Sequence, residues 1–255
     1  MAARTFRTRR AQILELLRRK GRAGVEELAE RFDTTPQTIR KDLAVLAEQG
    51  HVLRYHGGAS LLAGTEYVRY EVRQQIAREE KERIGRAVAA LIPNNCAVMI
   101  NAGTTTAAAA RHLARHAGVK IVTDNVTLAH EIKGFRGCEI LVPGGVVRAS
   151  DGAILGELAI DFIRQFRADI ALIGAAAIGA DGALLDYDLR EAAVARAMIE
   201  NARNVIIAAD SGKFGRIAPV CIGQLAQART LVTDTAAPRE LRELCGALDV
   251  GLTLA

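Results

Sequence analysis

Asp33-Thr34-Thr35-Pro36-Gln37-Thr38-Ile39-Arg40-Lys41-Asp42-Leu43-Ala44-Val45-Leu46 reads as a tight turn that opens into an amphipathic helix. Asp33, Thr34 and Thr35 are turn and N-cap residues, and Pro36 suits a first helical position because its missing N–H has no intrahelical partner to lose. Ile39, Leu43 and Leu46 recur at helical spacing and predict one buried stripe. The other face carries Gln37, Thr38, Arg40 and Lys41, crowded at the helix N-terminus. That is the end of a recognition helix that meets base edges in the DNA major groove.

Two helical patterns precede this stretch. Arg9 to Lys20 has an apolar stripe of Ile13, Leu14, Leu16 and Leu17 and ends at Gly21. Val25 to Phe32 turns Val25, Leu28, Ala29 and Phe32 inward. After the third helix Gly50 is the expected C-cap, and His51 to Ala59 alternates apolar and polar residues into a Gly57-Gly58 turn. Three helices and a β-hairpin predict a winged helix-turn-helix over residues 1–60. Thr35, Gln37, Thr38, Arg40 and Lys41 are the candidate DNA contacts on the helix. Arg54 and His56 are the candidates on the wing, where cations reach phosphate or the minor groove. Two bland alternatives stand beside these. Asp42 would serve as a salt-bridge partner for a merely solvated Arg40 and Lys41, and His56 would serve as a turn residue.

Charge supports a polyanion partner at this end. Residues 1–60 hold 12 Lys/Arg against 7 Asp/Glu, so they carry the whole net charge of +5. Met1 to Arg10 is Arg-rich and reads as a DNA-contacting or disordered arm. The chain lacks tryptophan and has 4% aromatic residues, which disfavours single-stranded binding by base stacking. Cys96, Cys138, Cys221 and Cys245 are scattered without metal-ligand spacing and read as reduced, mostly buried residues of a cytoplasmic protein. No secretory signal or membrane-length apolar run is present, and no metal or cofactor site is expected.

Residues 61–75 read as a linker: Leu61 to Gly64 is a break, and Arg69 to Gln75 is charged and polar. From residue 76 to 255 apolar runs alternate with helical patterns. Strands are expected at 96–100, 120–123, 139–142, 169–174, 204–209 and 230–233. Helices are expected at 79–92, 104–116, 126–133, 156–167 and 190–201. This predicts an α/β fold with a mostly parallel sheet, whose ligands bind at the carboxyl ends of the strands.

Three loops at those ends carry chemistry. Asn101, Gly103, Thr104, Thr105 and Thr106 form a glycine-and-hydroxyl turn at a helix N-terminus, an anion cradle whose alternative is ordinary capping. It lacks the lysine of a nucleotide-hydrolysing loop. Thr123, Asp124 and Asn125 are placed either to bind sugar hydroxyls or to cap the next helix. Lys213, on the glycine-flanked loop Asp210 to Arg216, reads either as a partner for a negatively charged ligand or as a solvated surface lysine. Gly144 and Gly145 mark a turn near the same rim.

Thr35-x-x-Thr38-Ile39-Arg40-Lys41-Asp42-Leu43, followed by Arg54-x-His56-Gly57-Gly58-Ala59, resembles the DeoR family of bacterial transcriptional regulators. Lys81-Glu82-Arg83-Ile84, Asp161 to Arg167 and Ser211 to Arg216 extend the likeness through the chain. The resemblance implies a C-terminal effector-binding and oligomerisation domain similar in fold to ribose 5-phosphate isomerase. It also implies a repressor of a sugar- or polyol-phosphate catabolic operon. Its partners would be double-stranded operator DNA, a phosphorylated sugar or polyol that releases it, and its own copies in a homodimer or homotetramer. The family's Asp-x-Gly-Thr-Thr loop matches Asn101 to Thr105 with the charge lost at Asn101. Its Glu-x-x-x-Lys matches at Glu191, with Ala195 in place of the lysine and Arg196 next to it. The enzyme alternative is an isomerase with an appended DNA-binding domain. It needs an acid/base pair over the carbonyl carbon, and Gly174-Ala175-Ala176-Ala177 offers no carboxylate, leaving Glu191 alone or paired with Arg190.

Overall fold

A computed structural model describes residues 9–17, 22–48, 52–55, 57–61 and 70–255. The chain forms two compact units, Met1–Ile76 and Ala77–Ala255.

In the first unit, residues 9–17 form α1, Val25–Arg31 form α2 and Pro36–Glu48 form α3. Ile13, Leu17, Leu28, Ile39, Leu43 and Leu46 meet in one core, as the three stripes predict. The turn into α3 is built from its own residues. Asp33 takes a left-handed conformation (φ 45°), and the Thr35 hydroxyl accepts the Thr38 N–H at 3.2 Å. Three short strands, β1 (Arg22–Gly24), β2 (Val52–Tyr55) and β3 (Gly58–Leu61), make an antiparallel sheet in the order β1-β3-β2. The wing therefore has one strand more than the predicted hairpin. β1 has no alternation to announce it and exists because β3 offers an edge, where Ala23 pairs with a buried Ala59.

The residues read as linker include a helix, α4 (Tyr70–Gln75). One turn and a half is too short for a periodic signal. Tyr70 is buried, with the Arg73 guanidinium 5.7 Å from its ring centroid. Ala77 then takes a left-handed conformation (φ 51°, ψ 40°), which separates α4 from α5 (Arg78–Leu91).

The second unit is a seven-stranded parallel sheet. Its strands are β4 (Ala97–Ile100), β5 (Val119–Thr123), β6 (Cys138–Leu141), β9 (Ala168–Ile173), β12 (Ala202–Ala208), β14 (Thr230–Thr233) and β15 (Gly251–Leu254). They lie in the order β15-β14-β12-β9-β4-β5-β6. A short hairpin of β7 (Val146–Val147) and β8 (Ile154–Leu155) follows β6. A second small sheet joins β10 (Ala177–Ile178), β11 (Ala183–Asp186) and β13 (Val220–Gln224). The helices are α6 (Thr104–Arg111), α7 (Val126–Ile132), α8 (Glu157–Arg164), α9 (Leu189–Glu200) and α10 (Arg239–Ala247). The helix expected to 116 changes to a 3-10 turn at His112–Arg115.

Alternation along the strands divides the core in two. Val98, Ile100, Ile170, Leu172 and Ile206 pack with α5, α6 and α7. Met99, Ala171, Ile173, Val205 and Ile207 pack with α8, α9 and α10. Both faces are covered, which is why the strands read as continuous apolar runs. Small residues set the spacing of α5 against α6. A Cβ on Gly85 would stand 2.9 Å from the Ala108 carbonyl carbon, so only glycine lets the two backbones approach this closely. β4 lies between β5 and β9, so the connections leaving the carboxyl ends of β4 and β9 diverge. That divergence opens the crevice in which open α/β sheets bind ligands.

Candidate functional site

The DNA-facing candidates on α3 have the exposure the sequence requires. Gln37, Arg40 and Lys41 are exposed, Thr38 is partly so, and Ile39 at their centre is fully buried. Among the described residues Arg40 makes only a long, open ion pair with Glu26 at 3.5 Å. Thr35 caps the helix and bonds the Thr38 hydroxyl at 2.9 Å. Asp42 is not the partner of Arg40 or Lys41. It is 3% exposed and accepts from Arg9 Nε at 2.6 Å and Arg10 Nε at 3.0 Å. Those two arginines, where the predicted arm and first helix overlap in sequence, belong to α1 and tie it to α3. Arg54 lies on β2, and His56, Gly21 and Gly50 lie outside the described residues.

In the second unit, the turn after β4 is held by its own polar groups. The Asn101 amide spans the crevice: its Nδ2 donates to the Gly174 carbonyl at 3.1 Å, and its Oδ1 accepts the Gly174 N–H at 2.8 Å. A carboxylate would satisfy only the second of these bonds, which gives a physical reason for asparagine here. Thr106 is fully buried, and its hydroxyl faces the Asn101 carbonyl at 2.8 Å and the Gly103 carbonyl at 3.0 Å. It holds the turn rather than a ligand. A Cβ on Gly103 would come within 2.9 Å of that hydroxyl, so the glycine is what lets Thr106 fold back. Thr104 and Thr105 remain at the start of α6, where first-turn amides have no carbonyl one turn back.

The turn after β5 separates into a capping residue and an acidic one. Asn125 is the N-cap of α7, accepting from the Leu128 N–H at 2.9 Å and donating to the Asp151 carbonyl at 3.1 Å. Asp124 is fully buried, and neither carboxylate oxygen makes a hydrogen bond of ordinary geometry, although the amides of Ala102 and Asp124 itself lie close enough to favour its charged form. Burial pushes its pKa well above the usual carboxylate range, with Glu191 and Asp151 adding to the rise and the amides of Ala102 and Asp124 itself opposing it.

Beside it stands a residue that sequence reasoning did not single out. Arg148, on the turn between β7 and β8, binds Asp151 through Nε at 2.8 Å and Nη2 at 2.6 Å. It also binds Glu191 at 2.6 Å and Asp188 at 3.2 Å. Glu191 is therefore the partner of Arg148, not of Arg190. Arg190 pairs instead with Asp188, and its hydrogen bond is the main cause that holds that carboxyl at about 2. Ala195 is 1% exposed within the core, and Arg196 turns away to the Cys221 carbonyl at 2.7 Å. The cation beside Glu191 thus comes from the β7–β8 hairpin rather than from one turn along α9. Gly144 and Gly145 are exposed and shape the entry to that hairpin. No spacing rule finds Arg148, because hairpin and helix meet only in three dimensions.

The loop after β12 is joined to the one after β14. Ser211 N–H donates to Asp234 Oδ2 at 2.6 Å, and Lys213 closes the short 3-10 turn between them. Asp210 and Thr233 each keep a buried oxygen without a partner. Together with Thr123 and Asp124, five such oxygens lie at the carboxyl ends of β5, β12 and β14. Buried oxygens left without partners mark a place where a ligand or water completes the structure. Among the described residues no group of three or more His, Cys, Asp or Glu is arranged to hold a metal ion, and no helix is long and apolar enough to cross a membrane.

The ribose 5-phosphate isomerase of Methanocaldococcus jannaschii aligns with 54% of the chain and 55% of its own, at TM-score 0.41 and 12% identity. The glycerol-3-phosphate regulon repressor of Escherichia coli is 42% identical over 89% of this chain and 90% of its own. The repressor of the same name from Haemophilus influenzae is 41% identical over 88% of each. A DeoR-like helix-turn-helix domain matches residues 9–65, and a DeoR C terminal sensor domain matches residues 76–235. The chain belongs to the DeoR family of helix-turn-helix transcriptional regulators.

Proposed function

We propose that this chain is a cytoplasmic repressor of a glycerol 3-phosphate catabolic operon, bound to its operator through α3 and the wing and released by glycerol 3-phosphate. Gln37, Thr38, Arg40 and Lys41 read the major groove, while Thr35 sets the helix start and Arg54 and His56 hold the wing to the backbone. The effector's phosphate sits on the first turn of α6, at Gly103, Thr104 and Thr105, with Lys213 as its counter-charge. Its hydroxyls face Thr123, Asp124 and Glu191. One observation carries this reading: five buried oxygens without partners line the carboxyl edge of the sheet. Acceptors of that kind are met by the hydroxyl donors of a polyol, and an amide turn with a lysine nearby suits its phosphate.

The same geometry supports binding without turnover. Isomerisation needs a free acid/base group over the substrate carbon. Glu191 is engaged by Arg148 at 2.6 Å, and the turn after β9 is Gly174-Ala175-Ala176. A single winged helix reads few bases, so two copies on repeated half-sites supply the specificity.

Isothermal titration of glycerol 3-phosphate into the full chain tests the effector reading, alongside an assay for conversion of ribose 5-phosphate. Saturable binding without turnover is expected, weakened at least about tenfold in Lys213→Ala. Equal affinity in that variant would remove Lys213 from the site, and steady turnover would make the chain an enzyme.

A further inference from the structure

A second cationic site lies at the opposite edge of the same unit. Ile92 and His116 immediately precede the turns into β4 and β5, so they mark the amino-terminal edge of the sheet. There, α5, α6 and the 3-10 turn border an open groove of about 600 Å³, which Ala89, Ala90 and Ala114 also line. Arg86, Arg111, His112, Arg115 and His116 line it. The volume falls within the range of small-molecule sites.

The charges there are unequal in standing. Arg111 is matched by Glu131 at 2.8 Å and His112 by Glu82 at 3.1 Å. Arg111 ends α6, where a cation complements the helix dipole, and His112 opens the 3-10 turn that follows. Arg86 and Arg115 have no ion-pair partner among the described residues and are exposed at the groove. Arg86 lies in the middle of α5, where no helix end explains it. His116 adds an independent observation. Its Nε2 donates to the Ile92 carbonyl at 2.9 Å, which fixes the ring, while Nδ1 is buried from solvent and has no partner.

We propose that this groove binds a compact phosphate-class polyanion, of the size of pyrophosphate or the terminal phosphates of a nucleotide. Two guanidiniums from different elements match an anion of more than one charge, and Arg forks suit phosphate oxygens. The site is separate from the carboxyl edge, so it gives the regulator a second chemical input.

The test is calorimetric titration of pyrophosphate into the full chain at fixed ionic strength, with the His116 ring signal followed by NMR. The variants are R86A/R115A and, as a control for the opposite edge, K213A. Saturable binding that moves the His116 signal is expected, retained in K213A and weakened at least about tenfold in R86A/R115A. Because Arg86 and Arg115 are exposed, the double variant should unfold at the wild-type temperature. Absence of saturable binding, equal affinity in the double variant, or abolition in K213A would overturn the proposal. Loss of operator affinity in R86A/R115A without any pyrophosphate binding would also overturn it and assign the groove to DNA.

Discussion

Asp124 stores a conflict that a single substitution exposes. Its carboxyl is buried without a hydrogen bond of ordinary geometry and its folded pKa is raised, chiefly by desolvation. The folded state therefore holds a proton that the unfolded state releases near the usual carboxylate pKa. Stability from this group is fully present below that value and is lost as pH rises through the folded pKa. Asp124→Asn should raise the melting temperature at pH 8 and show little difference from the parent at pH 4; a gain of the same size at both would contradict the assignment. Asn101 makes the opposite case, a polar group with both its bonds made. Asn101→Asp keeps the bond from Gly174 N–H and sets a carboxylate oxygen against the Gly174 carbonyl. A loss of about 1–3 kcal/mol in denaturant unfolding is expected.

Elements were legible in the sequence to the degree that they are periodic and long. The stripes of α1 and α3 and the apolar runs of the central strands predicted their places, because burial on one or both faces leaves a pattern. β1, α4 and the small sheet of β10, β11 and β13 left none, since each depends on an edge or a neighbour supplied by distant chain. The candidate site divides the same way. The glycine-and-threonine turn was visible, whereas Arg148 and the partner of Asp42 needed coordinates. The clamp of Asp42 by Arg9 and Arg10 makes α1 the support of α3. Asp42→Ala leaves two arginines without their acceptor and should cost about 2 kcal/mol in the first unit. Operator affinity should fall with it, while calorimetric binding of glycerol 3-phosphate stays unchanged. An unaltered melting transition would show that the clamp is not structural. At the exposed end of α3, Arg40→Ala should leave the melting temperature unchanged, because its only described ion pair is long and open. It should still weaken operator binding by about 1–3 kcal/mol, as read by anisotropy.

At the scale of the whole molecule the account needs the two units to report to each other. If glycerol 3-phosphate lowers operator affinity, operator must lower glycerol 3-phosphate affinity by the same factor, an interaction typically of about 1–3 kcal/mol. Phosphate contacts by a basic first unit would make the DNA affinity strongly salt-dependent, so every comparison belongs at one salt concentration. The direct measurement is fluorescence anisotropy of a labelled duplex from upstream of the host's glycerol-catabolic genes, with glycerol 3-phosphate titrated into the complex. The account predicts specific binding and progressive release, with Lys213→Ala bound equally well but released only at higher effector concentration. A complex that glycerol 3-phosphate leaves intact, or a duplex bound no better than random sequence, would contradict it.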